Sequence, residues 1–377
     1  MKRILTAALA AFLLLVLPAC GAPSQTAQEP PAAQEPEEAP TPPPEPTEEE
    51  LEAQEIEDLL SSLTTEEKVG QLFFVRCPAE SAAEDVGTYH LGGYILFGRD
   101  YQDAAGAWLT REQFTAAVQS YQDAALADTG IPLLIGSDEE GGTVTRASRN
   151  PNLFDAPFPS PQALAREQGE TDTHNVFAAD AWEKNSALLA LGINVNLAPV
   201  ADVSTDPADF IYDRTIGRDA QTTAEYIRAS VETYLENGLA CTLKLFPGYG
   251  NNGDTHTGLV YDNRPMETFE TSDFLPFKAG IEAGAQCVLV SHNVVTCMDP
   301  DVPASLSPKV HEILREELGF TGLIMTDDLI MDAITDFTGG KSPAVTAFLA
   351  GNDLLLSSNP RTDYQALYDA VVSGEVS

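Results

Sequence analysis

Eight short apolar runs, separated by longer stretches of helix-forming residues, constrain the fold of this chain more than any other feature. The runs cover residues 71–75, 94–97, 132–136, 193–197, 241–246, 287–290, 322–325 and 353–356. Apolar strands that alternate with helices are typical of a parallel sheet buried on both faces. Eight such units favour a closed (β/α)8 barrel, a TIM-type α/β fold, over an open doubly wound sheet. No G-x-G-x-x-G follows the first run, so nothing favours a dinucleotide-binding fold.

The stretches between the runs predict helices, with the clearest patterns over 111–126, 223–235 and 307–318. No long linker rich in proline and glycine interrupts the alternation. We therefore expect one barrel domain over residues 59–377.

Polar and charged side chains follow several runs at the point where each predicted strand ends. They are Asp138, Glu139 and Glu140 after the third run, Asp202 after the fourth, Lys244 within the fifth, His292 after the sixth, and Asp327 and Asp328 after the seventh. Helix capping could explain any one of the carboxylates, but not a lysine and a histidine at equivalent places. Because a barrel builds its active site at the carboxyl ends of its strands, the pattern predicts a catalytic ring there.

Residues 1–19 have the pattern of a secretory signal peptide. Lys2 and Arg3 precede an apolar run over 4–17, which is short for a membrane span. The run ends in L-P-A-C, which resembles the bacterial lipoprotein box, in which the cysteine becomes the lipidated first residue; here that is Cys20. We expect an exported protein, anchored by a lipid at the outer face of the bacterial cell membrane. Ordinary cleavage with Cys20 as a bystander is the alternative.

Residues 20–58 are rich in glutamate and proline. Residues 24–58 contain eleven Glu, one Asp, eight Pro and no Lys or Arg, which predicts a disordered, extended tether. The whole chain has 58 Asp and Glu against 20 Lys and Arg, a net charge of −38. A chain this acidic would be repelled by phosphate backbones, so nucleic acid is excluded as a partner.

Four cysteines lie in the predicted barrel, at positions 77, 241, 287 and 297, without C-x-x-C spacing. Cys241 and Cys287 belong to apolar runs. We interpret these cysteines as small buried hydrophobic residues, with a disulfide or a metal site as the alternative.

Five motifs occur in order along the predicted barrel. They are D-E-E-G-G-T-V-T-R (138–146), G-I-N-V-N-L-A-P-V-A-D-V (192–203), D-R-T-I-G (213–217), K-L-F-P-G-Y-G-N-N-G-D-T-H (244–256) and T-D-D-L-I-M (326–331). Together they resemble glycoside hydrolase family 3, in its single-barrel β-N-acetylglucosaminidase branch. The resemblance runs from about residue 60 to the end. It implies a carbohydrate substrate that contains GlcNAc, with no metal or cofactor, and we expect a monomer.

The resemblance also implies the catalytic residues of a retaining enzyme, which needs a nucleophilic carboxylate and a proton donor. Asp327 matches the family nucleophile. His256 matches the acid/base and Asp254 its paired carboxylate. Asp328 points the other way along an extended chain, so we expect it to support the loop.

Five further residues match sugar-binding positions of the family: Asp138, Arg146, Arg214, Lys244 and His292. Asp138 should accept hydrogen bonds from hydroxyls, and the cations should donate to hydroxyls or to the N-acetyl group. Arg146 could serve instead as a counter-ion for Asp138 or Glu140. Gly141 and Gly142 should permit a tight turn after the third strand.

The sequence departs from the family at two places. Where the family usually reads K-H-F-P-G-H-G, this chain has Leu245 and Tyr249 in place of the two histidines. Leu245 removes a group that is expected to touch the sugar. The chain also ends where the family continues into one more helix, so we expect residues 364–377 to leave the last helical layer incomplete.

Three functions are compatible with these residues. The first is an exo-β-N-acetylglucosaminidase that acts on peptidoglycan fragments or chitooligosaccharides. The second is a family member with another activity, a β-glucosidase or a β-glycoside phosphorylase. The third is a non-catalytic sugar-binding lipoprotein, suggested by Leu245 and the short end.

Overall fold

The computed structural model describes residues 46–168, 173–339 and 342–376. The predicted signal peptide, Cys20 and most of the predicted tether lie outside these residues. The tether prediction is wrong for its last part, because residues 48–58 belong to helix α1 (Glu48–Ser62), which has no buried residue. The Thr47 hydroxyl accepts from the Glu50 N–H and the Glu50 carboxylate accepts from the Thr47 N–H, which caps the helix start. Helix-favouring residues then follow without a proline.

Short parallel strands form the centre of the molecule, as the apolar runs predicted. The strands of the described residues are β1 (Phe73–Arg76), β2 (Gly93–Leu96), β3 (Leu134–Ser137), β4 (Val195–Asn196), β5 (Ala240–Phe246), β6 (Tyr261–Asp262), β7 (Cys287–Val290), β8 (Val294–Val295), β9 (Leu323–Thr326) and β10 (Leu355–Ser357). One sheet has the order β10–β1–β2–β3–β4–β5–β7–β9, with parallel neighbours. A parallel bridge between Met325 and Leu354 brings β9 beside β10, so the sheet closes into the predicted barrel.

Helices surround the strands. The remaining α-helices of the described residues are α2 (Thr65–Gln71), α3 (Ala82–Tyr89), α4 (Arg111–Asp128), α5 (Pro161–Gln168), α6 (Thr173–Leu189), α7 (Ala220–Glu236), α8 (Met266–Thr268), α9 (Phe274–Glu282), α10 (Pro308–Glu312), α11 (Asp332–Thr338), α12 (Ala344–Ala350) and α13 (Pro360–Ser373). The three predicted helices correspond to α4, α7 and α10, the last extended by a π-helical turn. α13 follows β10 and packs against α2, α3, α12 and β1. Within the described part of the chain, none of the helices has the length and apolar character needed to cross a membrane.

In several barrel strands, such as β1 and β7, the side chains alternate between two apolar clusters. Phe73 and Val75 belong to the cluster between strands and helices, whereas Phe74 points into the barrel with Ile95, Leu289 and other interior residues. A period of two is what a strand buried on both faces requires. Glycines leave room for the Phe74 ring, because a Cβ on Gly136 would lie 2.5 Å from its Cζ atom.

The prediction of buried cysteines is confirmed for three of the four and is wrong for Cys297. Cys77, Cys241 and Cys287 are buried and unpaired, and Cys297 is exposed. Burial raises the pKa of the Cys241 and Cys287 thiols to about 12, so both are neutral at physiological pH. They act as small apolar side chains.

A partly buried arginine fixes the long segment after β5. Arg264 forms ion pairs with Asp262 at 2.7 Å and Asp273 at 2.9 Å, and donates to the Gly248 carbonyl at 3.1 Å. Its guanidinium lies 4.5 Å from the centre of the Phe269 ring. Because this arginine ties both ends of the segment 248–273 together, it positions the residues that reach over the mouth of the barrel.

Candidate active site

A cavity of about 460 Å³ opens at the carboxyl ends of the strands, within the range of small-ligand sites. Its floor is apolar and includes Ile95, Leu197 and Leu289 from the barrel interior. Six of the residues predicted for catalysis or sugar binding line it: Asp138, Arg146, Arg214, Lys244, His256 and Asp327. The structure therefore brings together side chains from the ends of β3, β5 and β9 and from the segments that follow them.

Lys244 is the centre of a buried ionic cluster. Its Nζ atom lies 2.7 Å from Asp138 Oδ1 and 2.7 Å from Glu140 Oε1, and only 3% of its side chain is exposed. The Nε and Nη2 atoms of Arg214 donate to the two oxygens of Glu140 at 3.0 and 2.8 Å. Burial alone would raise the pKa of Glu140, but the two cations outweigh it and lower the pKa to about 2. Glu140 is thus an anion that fixes both cations.

The loop after β3 is shaped by its first residues. Glu139 accepts from the Arg146 N–H at 2.6 Å and from the Ser148 hydroxyl at 2.8 Å, so it holds the loop and is no part of the cavity wall. Gly141 and Gly142 have φ of 100° and 64°, as the predicted tight turn requires. The turn lets Arg146 come back over Asp138.

Arg146 has one carboxylate partner and one unused donor. Its Nη2 atom lies 3.5 Å from Asp138 Oδ2, so the predicted counter-ion role applies to Asp138. Its Nε atom is buried and has no hydrogen-bond partner among the described residues. A buried donor without a partner is costly in the absence of a ligand. The arginine can therefore pair with Asp138 and still donate to a bound molecule.

Asp327 and its neighbour have different environments. Asp327 is half-buried and lines the cavity, and its Oδ1 atom accepts the Asp328 N–H at 2.8 Å. The Asp328 carboxylate accepts from the N–H groups of Ile330 and Ser358, and from the Ser358 hydroxyl at 2.5 Å. These contacts tie the end of β9 to the end of β10, which is the loop-supporting role predicted for Asp328.

His256 and Asp254 form a pair on the segment after β5. The His256 Nδ1 atom lies 2.6 Å from Asp254 Oδ1, and the same oxygen accepts the His256 N–H at 2.9 Å. The carboxylate therefore fixes both the backbone and the ring of His256. Because the imidazole side chain is 62% exposed and lines the cavity, its Nε2 atom is available for proton transfer.

The prediction that His292 binds sugar is wrong. Its ring is completely buried and does not line the cavity. Nδ1 lies 2.7 Å from Ser305 Oγ and Nε2 lies 3.0 Å from the Asp328 carbonyl oxygen, so both nitrogens are used within the protein. Burial lowers its pKa. A neutral His292 thus supports the loop of Asp328, a role that its place after β7 does not reveal in the sequence.

Leu245 and Tyr249 share their surroundings. Both belong to the apolar cluster of the barrel interior and both line the cavity. Their N–H groups donate to the two oxygens of Asp202, at 2.8 and 2.6 Å. Burial raises the pKa of Asp202 to about 6.

The Tyr249 hydroxyl lies 2.5 Å from Thr255 Oγ1, next to His256. The two departures from the family, Leu245 and Tyr249, therefore lie in one packed unit. Nothing in the sequence indicates that Asp202 holds the backbone of this unit.

The family model described as the glycosyl hydrolase family 3 N-terminal domain matches residues 64–377, which is most of the chain. The chain belongs to glycosyl hydrolase family 3. The predicted family and the predicted barrel are confirmed, and the chain is a glycoside hydrolase of the β-N-acetylhexosaminidase type, as expected.

Similar proteins that carry the name beta-hexosaminidase support this family assignment. A beta-hexosaminidase of Tolumonas auensis is 34% identical over 284 residues, which are 74% of this chain and 79% of the relative. A beta-hexosaminidase of Xylella fastidiosa is 35% identical over 268 residues, 70% of this chain and 78% of the relative.

Two solved structures show the same fold. A family 3 beta-N-acetylglucosaminidase from Paenibacillus is 31% identical with a TM-score of 0.75; the match covers 84% of this chain and 60% of that longer chain. A beta-N-acetylhexosaminidase from Beutenbergia cavernae is 31% identical with a TM-score of 0.71, and the match covers 83% of this chain and 92% of that one.

Restoring the family histidine should not improve the enzyme. In Leu245→His, a flat polar ring replaces a branched apolar side chain in the interior cluster, so the packing is disturbed and a polar group is buried without a partner. We expect the free energy of unfolding to fall by about 1–3 kcal/mol, and kcat/KM toward an aryl β-N-acetylglucosaminide to fall as well. Urea unfolding and steady-state kinetics measure both, with Leu245→Met as the volume-matched control. A clear gain in kcat/KM would contradict the packed unit described above.

Proposed function

We propose that the protein is a retaining exo-β-N-acetylglucosaminidase that removes terminal, non-reducing GlcNAc from peptidoglycan fragments or chitooligosaccharides. One observation carries the proposal: a single cavity contains the carboxylate of Asp327 and the imidazole of His256, which is held by Asp254. A retaining glycosidase needs a nucleophile and a proton donor at one bond. The names of the family 3 relatives support GlcNAc as the sugar.

The ionic cluster would bind the hydroxyls of the terminal sugar. The Lys244 ammonium has three donors, of which two point to Asp138 and Glu140, so one is left for a hydroxyl. Arg214 uses Nε and Nη2 on Glu140, which leaves Nη1 for the ligand. The Asp138 carboxylate accepts from hydroxyls. Because these groups are already held by one another, little reorganisation is needed when the sugar binds.

In the first chemical step, Asp327 attacks the anomeric carbon. Its Oδ1 atom already accepts the Asp328 N–H, whereas Oδ2 accepts no hydrogen bond from the described residues and is the freer nucleophile. The bond to the leaving oxygen breaks as His256 Nε2 gives that oxygen a proton. Asp254 stabilises the imidazolium before the transfer. The products are a glycosyl ester on Asp327 and the released alcohol.

In the second step, neutral His256 takes a proton from a water molecule. The hydroxide oxygen forms the new bond to the anomeric carbon, and the ester bond to Asp327 breaks. Two displacements on the same carbon give net retention. The carboxylate and the imidazolium are both regenerated.

A substrate comparison tests the proposed activity. We expect hydrolysis of an aryl β-N-acetylglucosaminide, with a much lower kcat/KM for the aryl β-glucoside, and free GlcNAc as the product even with phosphate present. Product analysis by chromatography, with and without phosphate, measures this. A sugar 1-phosphate product would indicate a phosphorylase, and faster cleavage of the glucoside a β-glucosidase. No turnover of either glycoside would indicate a sugar-binding protein.

The nucleophile is tested by trapping. A fluoro-sugar inactivator with the GlcNAc configuration should label Asp327, and Asp327→Ala should abolish turnover while the melting temperature changes little, because this side chain lies at the cavity and not in the core. Peptide mass spectrometry locates the label. A label on Asp328 or Glu140 would contradict the assignment.

The proton donor is tested with leaving groups of different acidity. His256→Ala should lose about 10²–10⁴-fold in rate on substrates with poor leaving groups, and far less on activated aryl glycosides that need little protonation. Asp254→Asn, which keeps the side-chain shape but removes the charge, should show the same trend more weakly. Equal losses for both classes of substrate would mean that His256 only binds the sugar or supports the loop, without transferring a proton.

We also propose that the enzyme is exported and acts outside the bacterial cell membrane, held by a lipid on Cys20. The basic start, the apolar run and the L-P-A-C sequence support this location. The acidic segment that follows would act as a spacer between the lipid and the barrel.

A further inference from the structure

A second cavity, of about 340 Å³, adjoins the active-site cavity. Four arginines line it: Arg76 at the end of β1, Arg99 after β2, and Arg146 and Arg149 on the loop after β3. The side chains of Arg76, Phe97 and Arg146 line both cavities. We call this cavity the arginine pocket. It holds four of the 20 Lys and Arg residues of a chain whose net charge is −38.

Two of these arginines have no carboxylate partner among the described residues. Arg76 is exposed, and its guanidinium lies 4.6 Å from the centre of the Phe97 ring without an ion pair. Arg149 donates to the Thr145 hydroxyl at 3.0 Å and to the Thr143 carbonyl at 2.7 Å, both neutral groups. These contacts orient the guanidinium groups without an ion pair. Asp100 interacts electrostatically with Arg76 at longer range, but its ion pair is with Arg99.

The other two arginines are only partly compensated. Arg99 pairs with Asp100 at 3.3 Å and donates to the Cys77 carbonyl. Arg146 pairs with Asp138 at the longer distance of 3.5 Å, and Asp138 is shared with Lys244. The Nε atom of Arg146 is buried without a partner. Among the described residues, only Asp100 and Asp138 form ion pairs with these four arginines, and Asp138 also pairs with Lys244.

We propose that the arginine pocket binds an anionic group, a carboxylate or a phosphate, carried by the glycan whose terminal sugar occupies the active-site cavity. The proposal rests on the function proposed above, because it names the chemistry of a substituent on that substrate. Guanidinium groups form paired hydrogen bonds with planar or tetrahedral oxyanions, and Arg76 and Arg149 are the two that form no ion pair among the described residues. Since Arg146 lines both cavities, one ligand can occupy the active-site cavity and extend along the protein surface into the arginine pocket.

The anion could lie on the leaving sugar or on the terminal sugar itself, and two matched pairs of ligands distinguish these sources. The first pair is GlcNAc β-linked to a sugar that carries an O-lactyl carboxylate, and the same disaccharide with that carboxylate converted to its methylamide. The second pair is an aryl β-N-acetylglucosaminide with a 6-phosphate and the same glycoside with a free 6-hydroxyl. Both kcat/KM and the dissociation constant by calorimetry are measured on the full chain, so that binding is read even where no cleavage occurs.

We expect the anionic member of one pair to bind and react better than its neutral partner by about fivefold or more, and this preference to weaken as ionic strength rises. Arg76→Met and Arg149→Met should each reduce the preference about threefold to tenfold, and Arg149→Lys should retain more of it than Arg149→Met. The pair that shows the preference identifies the source of the anion. Arg228→Met, which removes an exposed arginine paired with Glu282 on the barrel exterior, is the matched control and should leave the preference unchanged.

Two results would overturn the proposal. One is equal binding and equal kcat/KM for the members of both pairs. The other is a preference that survives in the double variant Arg76→Met/Arg149→Met. Failure of the proposed function looks different, because the neutral aryl glycoside would then not be cleaved, whereas the calorimetric preference for the anion would still report on the pocket.

Discussion

The buried ammonium of Lys244 is the constraint on which the active site depends. It lies between two carboxylates, Asp138 and Glu140, that come from neighbouring positions on the loop after β3. Two such anions can be buried close together only if cations compensate them, and Lys244 and Arg214 do so. The lysine thereby fixes the end of β5 to the loop after β3. This wall of the cavity is consequently held together by its own ion pairs, with a small number of donors left unused.

Much of this organisation could be predicted because it follows from local patterns. Alternation of apolar runs with helices gave the barrel, and charged residues after the runs indicated its catalytic end. The strand limits were less predictable: the run 193–197 becomes the two-residue strand β4 (Val195–Asn196), since apolar character does not show where ladder pairing stops. Helix α1 was missed because the glutamates that suggested disorder also favour a helix once a capped start exists.

Other features depend on contacts between residues far apart in the chain. Glu140 and the Arg214 that it fixes are 74 positions apart in the sequence. Asp202 and Leu245, whose backbone N–H it accepts, are 43 positions apart. His292 shows the opposite case. Its place at a strand end predicts a binding group, yet Ser305 and the Asp328 carbonyl use both of its ring nitrogens. Sequence position indicated the end of the barrel at which the cavity opens, but only packing decides which side chains face that cavity.

If the arginine pocket binds an anion as proposed, its place on an acidic protein would select ligands by length. A small molecule with one negative charge would contact the arginines directly, at distances shorter than the screening length. A long polyanionic strand brings many charges near an exterior of the same sign, so each added repeat unit is repelled while only one can reach the arginines. An enzyme of this kind would act on short, released fragments in preference to an intact polymer, and the discrimination would come from its surface field without any steric gate.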